Sequence, residues 1–553
     1  MIEQPQALPP RAVTSILGTC NLLFYTTLII VEGSFIGAFA LFKYPESFNY
    51  GSLDTSTGSS NITNYGLCTG LQYTTPLQNF IYSKAPGVRA SATTYGTYCE
   101  ESMYLNLTRY WQICTDITLW VLVGYGFLIS YLRFHRWSSL SFSLFIMCFT
   151  VQAYVLFAGF WQCVWWRNFS YHLYIDLRDI ISGLKCAVAV LITYGSVAGK
   201  IDAFQALNIV LFETFLYTIN EVLVLHTFAI KDIGGGSYIH MFGGFYGFTT
   251  CMIYNREMNV QDNTNWHASY GSNALTFVGT FFLWIYFPAF NCYNQLEISF
   301  TKGLETTGFY YNFHPSLFNM RFLCVMNTYW ALTSSVVAAC VLSMVLHEGR
   351  MIPEHILNAT LAGGVMIANC ADMYSYPFPA LVIGAWAGTW AVIAFHLSPA
   401  CMVRFKIFDT RLACLLHCIP AIWGCAASAI TIATMNQLYQ QFVPNAYNEY
   451  SIFLYLHYRS SAHQAGWQLI GGLICIFIGY FGGIAQGYIL RIWKCFNLPD
   501  DVFADHCFFR MNIAHPEVSR HHKFLKYHPI SRVHPIVFNE PNSPVSPITP
   551  AIH

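Results

Sequence analysis

Two histidines stand where a titratable side chain is expensive. In Lys231-Asp-Ile-Gly-Gly-Gly-Ser-Tyr-Ile-His240 and in Asp409-Thr-Arg-Leu-Ala-Cys-Leu-Leu-His417, an aspartate precedes a histidine by eight residues inside apolar sequence. Eight helical residues rise about 12 Å, and the hydrocarbon core of a bilayer is about 30 Å thick. With Asp232 and Asp409 at span ends, both imidazoles are therefore expected near the midplane. A charged side chain at that depth costs roughly 2.5–3.5 kcal/mol on insertion scales, so neutral rings are expected. Two facing neutral imidazoles offer one donor and one acceptor, a lining suited to a small, polar, uncharged molecule. A metal site would want a third ligand, and no Cys/Asp/Glu set accompanies the pair.

The elements that must carry these rings are membrane helices. Hydrophobic residues make up 55% of the 553-residue chain and charged residues only 10%, against roughly a quarter charged in soluble domains. Net charge is zero, which argues against nucleic-acid binding through phosphate neutralisation. The first apolar run, about 15–41, is too long for a signal peptide. Later runs centre near 119–133, 138–163, 180–199, 204–228, 235–254, 274–291, 322–345, 355–370, 377–398, 411–434 and 467–490. The expected fold is an all-α polytopic membrane protein of about twelve transmembrane helices. The two histidine spans lie five apart in that series and run in opposite directions, the pattern of an inverted repeat with its site at the midplane.

Arg133, Arg136, Lys200, Arg256, Arg350, Arg404, Lys406, Arg411, Arg491 and Lys494 fall in alternate loops, which are read as cytoplasmic. Glycosylation sequons at Asn61, Asn106 and Asn168 fall in loops of the other side. Both termini are then cytoplasmic. A transmembrane domain is expected over 1–497, with a glycosylated outer loop at 44–113 and a flexible His/Pro-rich tail over 498–553. Among 19 scattered cysteines there is no CxxC pair; Cys68 and Cys99, in the outer loop, are candidates for one disulfide, with Cys114 nearby.

The chain resembles the Rhesus glycoprotein branch of the ammonium transporter family. The match runs from the second span to the last. It is carried by Val123-Gly-Tyr-Gly-Phe-Leu128, Tyr194-Gly-Ser-Val-Ala-Gly-Lys200, Asn220-Glu221, the stretch from Asp232 to Gly247, Phe282-Leu-Trp-Ile-Tyr-Phe-Pro-Ala-Phe-Asn291, Asn358-Ala-Thr-Leu-Ala-Gly-Gly-Val365, Ala371-Asp372, Asp409-Thr410 and Leu416-His417. The resemblance implies the ammonium-transporter fold with its pseudo-two-fold 5+5 repeat, a pore through each subunit, a homotrimer in the plasma membrane, and passage of ammonia, with carbon dioxide as a second candidate. It implies pore histidines at His240 and His417, a gate at Phe290, ammonium recruitment at Glu221, and helix- and vestibule-stabilising acids at Asp232 and Asp409. The implied cycle is attraction of ammonium near Glu221, loss of a proton outside, transit of NH3 past Phe290 and the histidines, and reprotonation inside. No cofactor, metal or nucleic acid is called for. No GxxxxGK[ST] loop suggests ATP use, and no nucleophile–base constellation suggests an enzyme.

The sequence departs from the family at two places. Lys185 stands where the resemblance puts a first gating phenylalanine, and no aromatic lies between Asp179 and Thr193. Lys185 is expected to modify the pore, its ammonium reaching Glu221 and imitating the substrate. Around the second histidine, Arg411-Leu412 replaces Cys-Gly, Cys414-Leu415 replaces Asn-Asn, and Cys418 and Ala421 replace glycines. Two readings compete with an ammonia channel: a non-conducting scaffold or partner subunit, and a carbon dioxide pore.

Overall fold

The computed structural model describes residues 13–43, 110–166, 173–175, 177–254, 267–303, 315–405, 407–442 and 460–492, with 503, 505, 508 and 509. Asn61, Asn106, Asn168, Cys68 and Cys99 lie outside the described residues, as does nearly all of the tail. The chain divides into Met1–Cys507 and Phe508–His553, and the description below concerns the first unit.

Long apolar runs with few breakers fold as helices, since in lipid a helix satisfies every backbone group within itself. They are α1 (Val13–Phe39), α2 (Tyr110–Ile129), α3 (Arg136–Trp166), α4 (Leu177–Val197), α5 (Ala203–Glu221), α6 (Phe242–Tyr254), α7 (Tyr270–Gly303), α8 (Pro315–Leu346), α9 (Pro353–Ile367), α10 (Pro377–Phe405), α11 (Ile419–Phe442) and α12 (Ser461–Ile492). Two-residue strands, β1 (Phe42–Lys43) and β2 (Leu173–Tyr174), pair in parallel. The termini follow local rules. Asp202 caps α5 in a reciprocal box with Gln205, and Pro353 opens α9, where its missing N–H costs nothing.

Nine helices among the described residues are long and apolar enough to cross a membrane. That is fewer than the twelve apolar runs: α9 has 15 residues, α6 has 13 and follows the π-helical turn Gly236–Met241, and in α1 the apolar stretch covered by the described side chains is Tyr25–Phe39.

α4 sits at the centre, with 89% of its apolar window buried, whereas α8 is peripheral at 28%. Small residues set the closest helix crossings, as expected where lipid removes the hydrophobic drive for association. A Cβ on Gly384 or Gly388 of α10 would stand 2.1 or 2.0 Å from the α8 carbonyls of Ala331 and Ser335. At one end of the bundle, Asp505 accepts the N–H groups of Arg136, Trp137 and Ser138 at 3.1, 3.1 and 2.7 Å, capping α3. The Phe503 N–H donates to the Gly199 carbonyl there, at 3.1 Å.

Candidate functional site

Each aspartate–histidine segment builds the same local device. After Asp232 the backbone turns left-handed at Gly235 (φ 76°) and enters the π turn Gly236–Met241, which carries His240. After Asp409 it turns left-handed at Leu412 (φ 57°) and enters the π turn Cys414–Cys418, which carries His417. The aspartates hold the open N-termini of these turns, whose first N–H groups lack helical partners. Asp232 Oδ2 accepts from the Ser237 and Tyr238 N–H groups at 2.7 and 3.1 Å, and Oδ1 accepts from Asn369 Nδ2 at 3.1 Å. Asp409 Oδ2 accepts from the Cys414 N–H at 3.2 Å.

The segments are also pinned alike. Gly234 N–H donates to the Ala368 carbonyl at 2.8 Å, and Thr410 N–H donates to the Ser196 carbonyl at 3.1 Å. Lys231 forms a 2.7 Å ion pair with buried Asp372, while Lys200 Nζ donates to the Phe408 carbonyl. A π turn inserts an extra residue per turn and re-aims the side chains after it; here it swings both histidines inward.

The two imidazoles meet. His240 Nδ1 and His417 Nδ1 lie 3.2 Å apart, the rings are 5.3 Å apart between centroids and 18° from parallel, and both side chains are buried. Beyond them, Tyr125 Oη lies 3.3 Å from His417 Nε2. His240 Nε2 is buried with no hydrogen-bond partner. A nitrogen–nitrogen hydrogen bond needs one donor and one acceptor, so the chain Tyr125–His417–His240 has two polarities. If Tyr125 donates, His417 carries its proton on Nδ1 and the open His240 Nε2 is a donor. If Tyr125 accepts, the open nitrogen is an acceptor. The unpaired end can thus serve a molecule that both gives and takes hydrogen bonds.

Aromatic side chains gather beside the pair. Phe290 lies 5.9 Å from His240 between ring centroids and is stacked on Trp120 at 4.4 Å and 14°. Phe287 meets Trp120 and Phe290 edge-on at 5.2 and 6.2 Å. Lys185 is brought into the same cluster by α4: it is 2% exposed, its Nζ lies 5.5 Å from the Phe290 centroid, and it donates to Tyr238 Oη at 3.5 Å. Glu221 lies at the end of α5 and accepts a 2.8 Å hydrogen bond from Tyr154. Of the residues singled out in the sequence, His240, His417, Phe290 and Lys185 therefore gather at one place, with Asp232 and Asp409 beneath the two histidine turns. Trp120, Tyr125, Phe287 and Tyr238 belong to the cluster but are given no role by the sequence, although Tyr125, Tyr238 and Phe287 lie in segments that carry the family resemblance. They reach it from three different elements. No group of three metal-ligating side chains forms a metal site among the described residues.

The glycines lost around His417 have a counterpart across the contact. A Cβ on Gly244 of α6 would stand 2.6 Å from Cys418 Sγ and 3.2 Å from His417 Cβ. The close approach is kept by a glycine on the facing helix.

Residues 91–500 match the Ammonium Transporter Family. The chain is 31% identical over 389 residues to the ammonium transporter Rh type C of Rattus norvegicus, covering 68% of this chain and 71% of that protein. It is 29% identical over 388 residues to Rh type B of the same species, covering 70% and 79%. Among solved structures, the fold is similar to that of Nitrosomonas europaea Rh50, with a TM-score of 0.58 at 22% identity over 76% of this chain and 97% of that one.

Proposed function

From the premise that this chain belongs to the Ammonium Transporter Family, as an Rh-type multi-pass membrane protein, we propose that it conducts ammonia as the neutral molecule through the His240–His417 site. One observation carries the reading: a buried imidazole pair, 3.2 Å apart, with one ring nitrogen left without a hydrogen-bond partner and an aromatic cluster beside it. Ammonium is a small, strongly hydrated cation, and stripping its water in an apolar lumen costs many kcal/mol unless other groups replace it. Neutral NH3 avoids most of that cost. It needs only one hydrogen bond at a time, of either polarity, and the imidazole chain supplies that.

In this reading ammonium collects near Glu221 and leaves its proton outside. NH3 passes Phe290 and the two histidines and takes up a proton inside. Asp232 and Asp409 hold the π turns that aim the rings. The same apolar lumen suits carbon dioxide as a secondary permeant. The proposal extends to about twelve spans in an inverted 5+5 arrangement. In its support, Asp232 and Asp409, Gly235 and Leu412, and His240 and His417 are all separated by the same 177 residues. It further extends to a homotrimer in the plasma membrane with cytoplasmic termini, sequon glycosylation at Asn61, Asn106 and Asn168, and a Cys68–Cys99 disulfide.

Growth of a host that lacks its own ammonium transporters, on limiting ammonium as sole nitrogen source, tests the reading. Expression of this chain is expected to restore growth. No rescue by protein demonstrated at the cell surface contradicts conduction and favours a scaffold.

A further inference from the structure

A second pair of imidazoles lies apart from the site described above. His347 follows the last residue of α8, and His355 lies in the first turn of α9. Between them the chain reverses through Glu348 (φ 54°) and Gly349 (φ 82°), and the Gly349 N–H donates to the Met344 carbonyl at 2.8 Å, closing the end of α8. The reversal brings the two rings to 5.4 Å between centroids, 42° from parallel. His355 is buried and His347 half-buried. Nε2 of each ring is buried without a hydrogen-bond partner.

A buried polar atom without a partner costs about 1–3 kcal/mol, and here two such nitrogens stand on neighbouring rings. The surroundings prepare His355 to offer a lone pair. Its Nδ1 lies 3.0 Å from Ser343 Oγ, which also accepts the Ile352 N–H at 3.0 Å. A hydroxyl oxygen has two acceptor lone pairs, so Nδ1–H can donate to it and leave Nε2 as a free acceptor. A metal-binding imidazole is held in this way, its other nitrogen donating to a fixed oxygen. On the far side, the Phe395 ring of α10 stands edge-on to His355 at 5.1 Å and 79°, an apolar wall. The exposed His396 beside it is close enough to act electrostatically on His355; the unpartnered nitrogens are those of His347 and His355.

We propose that His347 and His355 form a binding site for a divalent transition-metal ion of the Zn²⁺ class, with Nε2 of each ring as a ligand and water in the remaining positions. Imidazole suits Zn²⁺, Ni²⁺ and Cu²⁺, whereas Mg²⁺ and Ca²⁺ want oxygen. Two protein nitrogens make an open site, which agrees with the absence of any group of three metal-ligating side chains among the described residues. The ion clips the end of α8 to the start of α9. The site stands or falls independently of ammonia conduction.

The test is equilibrium binding of Zn²⁺ to the untagged full-length protein in detergent, counted per chain, with thermal unfolding read on the same samples. The His/Pro-rich tail offers imidazoles of its own, so the difference between variants carries the result. Wild type is expected to bind one more Zn²⁺ per chain than His347→Gln or His355→Gln, and to melt at a higher temperature with Zn²⁺ than without. Either variant is expected to lose that rise. Ser343→Ala, which removes only the oxygen behind Nδ1, is expected to weaken the site about tenfold. Mg²⁺ is expected to produce neither effect. Because His347 is half-buried, His347→Gln keeps the test decisive if His355→Gln fails to fold. The same Zn²⁺ count in wild type and His347→Gln, or an equal rise in melting temperature in both, overturns the proposal and assigns any binding to other histidines.

Discussion

Replacing Asp232 by alanine should do far more harm than replacing it by asparagine, and the hydrogen bonds say why. The donors to the carboxylate include the Ser237 and Tyr238 N–H groups on Oδ2 and Asn369 Nδ2 on Oδ1. Alanine orphans both backbone donors, while Asn369 Nδ2 keeps Ser237 Oγ at 2.7 Å. At about 1–3 kcal/mol per buried unsatisfied donor, the cost is roughly 2–6 kcal/mol. Asparagine can keep its carbonyl on the two N–H groups and turn its amide toward Asn369. That neighbour has a buried Oδ1 with no partner, so its amide can flip to accept. For these three hydrogen bonds the loss is then that of charge assistance, about 1 kcal/mol. Thermal unfolding in detergent, followed by tryptophan fluorescence, reads the order directly. His240 rides on the turn that Asp232 caps, so ammonia flux should fall in the same order. Equal melting temperatures for the two variants, or an alanine variant as stable as wild type, would show that the carboxylate does not hold the turn.

Two further outcomes follow from the same segments. Leu412 is buried at φ 57°, a conformation that costs a side-chain-bearing residue roughly 1–2 kcal/mol. Leu412→Gly relieves that strain while losing the packing, whereas Leu412→Ala loses packing and keeps the strain. Glycine should therefore be the milder substitution, the reverse of the usual order, and melting temperatures of the two variants check it. Lys231→Met strands the Asp372 carboxylate, whose side chain is 0% exposed and whose ion pair is 2.7 Å long. Breaking such a pair from one side costs about 3–5 kcal/mol. The double variant Lys231→Met/Asp372→Leu should recover much of the loss, and a double-mutant cycle on detergent stability measures how much.

The helices were legible because each is a long apolar run, and every run overlaps a helix, although the ends of several, such as Tyr110–Ile129, Tyr270–Gly303 and Ile419–Phe442, lie well away from the expected bounds. The breaks were not. Gly236–Met241 and Cys414–Cys418 look continuous with the helices they open, since a π turn depends on how an aspartate and a left-handed residue meet the neighbouring helix. The histidines were legible from their depth alone: a polar ring eight residues into an apolar run invites a reason. Lys185 stood out by type and by the resemblance. Its surroundings, Phe290 of α7 and Tyr238 of the first histidine turn, come from distant sequence, and only the folded chain brings them to it. Trp120, Tyr125 and Phe287 are three aromatics in a chain that is 17% aromatic, so their type carried no signal. α2 and α7, packed against each other, turn them into a lining.

The imidazole pair itself is best tested by stopped-flow measurement of NH3 and CO2 permeability in proteoliposomes holding wild type, His240→Ala or His417→Ala. Wild type should raise NH3 permeability well above that of empty vesicles. Either alanine variant should lower it by about tenfold or more, because removing one ring leaves the other without its partner. NH3 permeability that is the same in all three proteins, or no greater than in bare lipid, would mean that the two rings line no path for ammonia.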